Sequence, residues 1–171
     1  MEVLAETKFL RFVQNDGWAY VTRKKHSYVE GNHNADGVVI IAYHPDKDKY
    51  VVIKQYRKSI GGFIYEFPAG LIDIDELPKE AAIREFREET GMFLYVGKYD
   101  VPVTHPSVGA TDETLTIIYG TAHGEPSTDG NEGDENIEVE FWGNEDFVKA
   151  MLTNSIDTKL ATFFLGRMAG K

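Results

Sequence analysis

The chain has 171 residues, 42% of them hydrophobic and 12% aromatic, enough to bury one sizeable core but short for two full domains. Its formal net charge of -10 excludes a surface built to grip nucleic acid, which needs clustered Lys and Arg, and the absence of cysteine removes disulfides and thiolate zinc sites. Met1 to Phe12 mixes charged with apolar residues, unlike a secretion signal, and the longest apolar run, Gly37 to Tyr43, is far short of the roughly 20 residues that cross a bilayer, so a cytoplasmic protein without membrane contact is expected.

Lys8 to Val13 and Trp18 to Arg23 read as two short strands around the turn Asn15-Asp16-Gly17. Two strands alone are marginal in water, so this unit, taken as residues 1–34, must pack on the main domain or on a second subunit. After the polar stretch Lys24 to Asp36, the main domain of residues 35–171 opens with strands Val38 to Tyr43 and Tyr50 to Tyr56, separated by the turn His44 to Asp48. Gly61-Gly62 interrupts the pattern, Phe63 to Phe67 resumes it, and Pro68-Ala69-Gly70 reads as a turn. Pro78 to Thr90 predicts a helix, with Pro78 at its first position and Gly91 just past its end. Val101 to Val103, Thr114 to Thr121 and Ile137 to Trp142 predict further strands, and Phe147 to Leu152 and Thr158 to Met168 predict helices. Glu125 to Asn136, rich in Gly, Asp and Glu, reads as a solvated loop. Strands interleaved with a few helices imply an α/β or α+β core.

On the helix from Pro78 to Thr90, the carboxylates Glu85, Glu88 and Glu89 fall within about 100° of one another at 3.6 residues per turn. Ala82 and Phe86, with Ile83 further round, would hold the helix against a sheet. Adjacent like charges on a helix repel, so something must compensate them. Arg84 and Arg87 could do so on a solvated face, or hard divalent cations could, since magnesium takes a few carboxylates and keeps other positions for water and phosphate. Helix spacing alone does not decide between the two.

The wider spacing does decide. Gly70, then five residues to Glu76, seven more, and Arg84-Glu85-Phe86-Arg87-Glu88-Glu89-Thr90-Gly91-Met92 reproduces the Nudix box. Its seven fixed positions match by chance on the order of once in 10⁸ for a preset register at average composition. The chain thus resembles Nudix hydrolases, which implies an α/β/α sandwich with a mixed sheet, here preceded by the small N-terminal β unit. Phe86 and Met92 stand where smaller aliphatic residues are commoner but stay apolar, and Leu77 offers no capping oxygen, leaving that role to Asp75 or Glu76.

By the same resemblance Glu85 and Glu89 are the main metal ligands, with Glu88 in support and the carbonyl of Ala69 as a further ligand. Arg84 orients a glutamate, and Glu76 steadies the loop and helix. Magnesium is the implied cofactor, with manganese as a substitute. Ser107 to Glu113 resembles the loop that presents the general base in ADP-ribose pyrophosphatases, which points to Glu113; Val108 replaces its usual proline. Lys54-Gln55-Tyr56-Arg57, Gly61-Gly62 and Glu66 to Asp73 resemble the ADP-sugar pyrophosphatase branch. That likeness implies that Trp18 stacks on adenine, that Arg23 and Arg57 contact base or phosphates, that Glu66 belongs to the substrate site, and that the protein is a homodimer. The expected activity is hydrolysis of ADP-ribose or a related ADP-sugar to AMP and ribose 5-phosphate. A hydrolase of another nucleotide sugar such as GDP-mannose shares the box. A sensor that binds ADP-ribose without cleaving it would be expected to lack box glutamates, all of which are present here.

Overall fold

The computed structural model describes residues 1–23, 28–29, 32–33, 35–127 and 137–170. Its N-terminal part is a three-stranded antiparallel sheet of β1 (Glu2–Glu6), β2 (Leu10–Asn15) and β3 (Trp18–Arg23). The hairpin turn sits where expected, with Asp16 and Gly17 both at positive φ. Sequence reading finds two strands here and misses β1, whose five residues are all exposed and show no alternation of burial. The polar stretch that follows holds a two-residue pairing of β4 (Tyr28–Val29) with β5 (Asn32–His33) where a loop is expected.

The main sheet has seven strands. Its path runs β10 (Phe93–Thr104), β11 (Leu115–His123), β6 (Gly37–His44), β7 (Lys49–Arg57) and β12 (Ile137–Trp142), with β8 (Gly62–Glu66) paired to β7 and β9 (Ala69–Leu71) paired to β6. The parallel pairing of β11 with β6 among antiparallel neighbours makes it a mixed sheet. Helix α1 (Pro78–Thr90) covers one face, where Ala81, Ala82 and Phe86 pack with Val38, Ile40 and Ile118. Helices α2 (Asn144–Met151) and α3 (Thr158–Ala169) cover the other, where Phe147, Leu160 and Phe164 pack with Val39, Val52 and Trp142. This is the expected sandwich, with each sheet face buried under helix.

Three differences from the sequence reading bear on the site. Ala69–Leu71, expected as a turn, is a strand: Gly70 pairs with Val38 and Ala69 with Val39. Strand β6 can take this partner because it meets β7 only at Tyr43–Tyr50 and His44–Lys49, after which the two strands part. Strand β10 is much longer than the expected Val101–Val103, because register shifts after Val96 and Val101 conceal its alternation. Ile83 stands 46% exposed, and Ala81 takes its expected place in the packing face.

Candidate active site

A cleft of about 580 Å³ opens where β6 and β7 separate, within the size range of small-molecule sites. Val38 and Val39 line it from β6, Gln55 and Arg57 from β7, Glu66 from β8, and Ala69, Gly70 and Leu71 from β9. Glu85 and Glu89 enter from α1, Arg23 from β3, Glu113 from the loop before β11, and Lys159 from α3.

The helix begins and ends on local signals. Pro78 occupies its first turn, Gly91 closes it at φ 71°, and the Gly91 amide donates to the Arg87 carbonyl at 2.9 Å. At the start, Glu80 reaches back to accept from the Leu77 amide at 3.1 Å, so Glu80, and not Asp75 or Glu76, supplies the cap. At 100° per residue Glu85 and Glu89 fall inside the arc defined by buried Ala81, Ala82, Phe86 and Thr90, whereas Glu88 lies outside it. The three carboxylates that share one side of the helical wheel therefore divide between two environments.

Each fixed position of the box has a visible physical task. A Cβ on Gly70 would come within 1.9 Å of the Glu85 carboxyl carbon, so only glycine admits that carboxylate against β9. Glu89, 6% exposed, accepts from the Ala69 amide at 3.0 Å. Arg84 Nε and Nη2 each donate to Glu76 at 2.8 Å, Nη2 also reaches the Leu71 carbonyl at 2.9 Å, and Nη1 serves Glu85 at 2.8 Å and Glu88 at 3.1 Å. One guanidinium thus ties the β9-to-α1 loop to the acidic helix, a use of its donor fork that a lysine could not reproduce. Its hydrogen bonds hold the Glu76 carboxyl below the ordinary carboxylate value, and Glu76 in turn stabilises the guanidinium charge. Burial pushes the Glu85 carboxyl up, against the opposing pull of Arg84.

Of the residues singled out from sequence, Arg23, Arg57, Glu66, Ala69, Glu85, Glu89 and Glu113 come together in the cleft. Arg84 stands behind it as a positioning residue, and Glu88 is held by Arg84 outside the lining. Trp18 is 62% exposed and is not brought to the cleft within one chain. Two pairs are closer than sequence could say. Arg23 binds Glu113, with Nε at 3.0 Å from Oε1, and Arg57 Nε binds Glu66 at 2.8 Å. The Arg23 pair continues a docking of β3 onto the 107–113 loop, in which the Val21 amide reaches the Ala110 carbonyl at 2.9 Å and the Thr22 hydroxyl reaches Asp112 at 2.8 Å. Sequence reading misses Gln55 and Lys159 as lining residues. Alternation from Arg57 points to Gln55, but nothing in the sequence near Lys159 brings it to the site.

Among the described residues, no three His, Asp or Glu side chains converge into a ready cage for a metal ion. The donor set still suits a hard divalent cation. Two carboxylates of one helix face line the cleft, one of them desolvated and one nearly buried, and magnesium commonly takes one or two carboxylates and completes its shell with water and phosphate. The residues present therefore fit such an ion.

The mixed sheet lies between helices and carries a glycine-gated pair of glutamates at the mouth of its splayed strands. The NUDIX domain model matches residues 33–162, and the chain belongs to the Nudix family. An uncharacterised Nudix hydrolase of Schizosaccharomyces pombe is 35% identical over 151 residues, covering 80% of this chain and 72% of its own length. The ADP-ribose pyrophosphatase of Bacillus subtilis is 34% identical over 84 residues, covering 48% of this chain and 44% of that protein. The ADP-sugar pyrophosphatase of Mus musculus is 35% identical over 79 residues, covering 44% and 34% respectively. The chain thus spans less than half of either pyrophosphatase. Among the described residues, no helix is long and apolar enough to cross a membrane.

Proposed function

We propose that the chain is a magnesium-dependent pyrophosphohydrolase that cleaves ADP-ribose, or a related ADP-sugar, to AMP and ribose 5-phosphate. The observation that carries this reading is the cleft in which the glutamate pair of α1 meets two arginines and a loop carboxylate. The printed activities of the Bacillus and mouse relatives support the substrate class.

Glu85 and Glu89 would hold the divalent cations, with the Ala69 carbonyl as a further oxygen donor and Glu88 in support through Arg84. Bound there, magnesium supplies charge neutralisation of the diphosphate and lowers the pKa of water, and manganese would serve in the same way. Arg57 and Arg23 hold phosphate oxygens, each exchanging a carboxylate partner for the substrate. Glu66 keeps Arg57 aimed before substrate arrives. Glu113 takes one proton from the water as its oxygen bonds to phosphorus and the bridging phosphorus-oxygen bond breaks. The bridging oxygen leaves on the other phosphate, which gives two phosphomonoesters.

The N-terminal unit, residues 1–34, is proposed as the dimerisation and substrate-contact unit of a homodimer. Val3, Leu4, Leu10 and Phe12 are exposed on its sheet and Phe9 in the turn between β1 and β2, and Trp18 stands clear of its own chain's cleft, free to stack on the adenine of a neighbouring site. Sedimentation should give a species twice the 19.3 kDa chain mass, and a monodisperse species at the single mass would contradict the dimer. Incubation with ADP-ribose and magnesium should release AMP and ribose 5-phosphate. Preferential turnover of GDP-sugars across a nucleotide-sugar panel would overturn the substrate assignment.

A further inference from the structure

A second cavity, of about 690 Å³, is larger than the cleft and shares no lining residue with it. The two lie back to back across β8: Tyr65 lines this cavity and its neighbour Glu66 the cleft, as strand alternation requires. Its walls come from β12, which ends the sheet path, from the turn between β6 and β7, and from α2.

Three lysines line it, Lys47 from the turn, Lys49 from the start of β7 and Lys149 from α2, a local gathering of positive charge in a chain of net charge -10. The two acids of the lining are already engaged. Glu140 accepts from Trp142 Nε1 at 2.7 Å and from the Tyr65 hydroxyl at 3.3 Å, and Asp146 accepts from the Gly143 amide at 2.8 Å and pairs with Lys49 at 2.9 Å. Burial raises the Asp146 carboxyl, yet the Gly143 amide and the charges of Lys49 and Lys149 bring it below the ordinary value, so the lysines prevail over desolvation there.

Two of the three ammonium groups are available to a ligand. Lys149 makes no ion pair among the described residues. Lys47 pairs at 3.0 Å with Glu125, whose side chain is 76% exposed, and such a solvent-screened pair contributes little stability and is readily exchanged. Lys47 Nζ also stands 5.5 Å from the ring centroid of Phe141, so the available charge lies beside an aromatic wall. A phosphate monoester carries a charge of roughly -1.5 to -2 at neutral pH and matches two ammonium groups, where a carboxylate matches one. The volume suits a small organic body attached to that phosphate.

We propose that this cavity is a second, anion-binding site that takes a phosphate monoester between Lys47 and Lys149, with the organic part of the ligand against Phe141 and Tyr65. The site does not depend on the substrate reading of the cleft. A ligand held here leaves the cleft free, because no lining residue is common to the two.

AMP and ribose 5-phosphate share the required chemistry and serve as the two probes. Each is titrated into the full chain with EDTA present, which removes cations that would bridge phosphate to the cleft carboxylates, and nitrogen-proton NMR spectra are followed. Saturable shifts are expected at the Trp142 indole and at the Lys149 and Asn154 amides with at least one probe, and none with adenosine or ribose, which lack the phosphate. Saturation by AMP alone would assign the base a share of the contact, and saturation by both would assign the site to phosphate and pentose. Lys47→Gln combined with Lys149→Gln should weaken this binding by about tenfold or more, with melting temperature and turnover near those of wild type, since neither lysine is buried with a partner or lines the cleft. Arg57→Ala should keep it. Absence of these shifts with both probes, shifts that persist unchanged in the double variant, or shifts confined to cleft residues such as Gly70 and Glu85 would overturn the proposal.

Discussion

The β9–α1 unit and the N-terminal sheet both supply residues to one cleft, yet they are held in opposite ways. From Ala69 to Gly91 every site residue is fixed by a neighbour in the same short stretch: Gly70 by Glu85, Arg84 by Glu76, and Glu89 by the Ala69 amide. Among the described residues, the N-terminal sheet lines the cleft through Arg23 alone, with Val21 and Thr22 docked on the 107–113 loop, and it leaves much of its apolar surface exposed. On the proposed function, the cation-binding carboxylates are thus held by one local unit, while the N-terminal sheet adds Arg23 from a module whose apolar surface is only partly buried in a single chain.

The largest expected effects fall on the local unit. Glu89→Gln should lower turnover by about 10²- to 10³-fold with an unchanged circular-dichroism spectrum, because it removes the negative charge of a proposed cation ligand and keeps an oxygen for the Ala69 amide. Near-wild-type turnover would break the assignment. Gly70→Ala should cost at least tenfold in turnover and about 1–3 kcal/mol of stability in a denaturant titration, since its Cβ cannot share space with the Glu85 carboxylate.

Changes in the N-terminal module should act on binding more than on chemistry. Arg23→Ala is expected to lower kcat/KM by about tenfold, mostly through KM, with the melting temperature near that of wild type. A pure loss of kcat would mean instead that Arg23 acts by positioning Glu113.

The smallest effect concerns pH and the loop that joins β9 to the helix. Glu76 has its folded pKa lowered by Arg84, so its stabilisation is complete above the ordinary carboxylate value and is lost as pH falls through the lowered one. Glu76→Gln should therefore cost about 1–2 kcal/mol at neutral pH in urea titrations, and the gap to wild type should close below about pH 4. A gap that persisted at lower pH would show that packing, and not charge, holds the loop.

The same contrast explains what could be read from sequence. Helix α1 runs from Pro78 to Thr90 as expected because its start and stop are local signals, and the box spacing is a list of contacts made within that stretch. The division of its acids was partly hidden: helical spacing groups Glu88 with Glu85 and Glu89, and only the packing of Ala81 and Phe86 shows which two face inward. Strand β9 was hidden because Pro68-Ala69-Gly70 carries turn residues, and its pairing depends on β6 parting from β7. The arginine-carboxylate pairs join residues far apart in the chain, so each member was visible and the pairing was not. Gln55 stood inside a recognisable run, but its burial and its place in the cleft lining come from the folded sheet and not from its own segment. The stretch from Glu125 to Asn136, expected as a solvated loop, lies mostly outside the described residues.

Whether Glu85 and Glu89 hold divalent cations against a bound diphosphate is tested by anomalous diffraction from crystals grown with a methylene-bridged analogue of ADP-ribose and soaked in manganese. Manganese peaks are expected within coordination distance of both carboxylates, between α1 and the diphosphate. Nucleotide bound in the cleft with no metal peak beside either glutamate would contradict it.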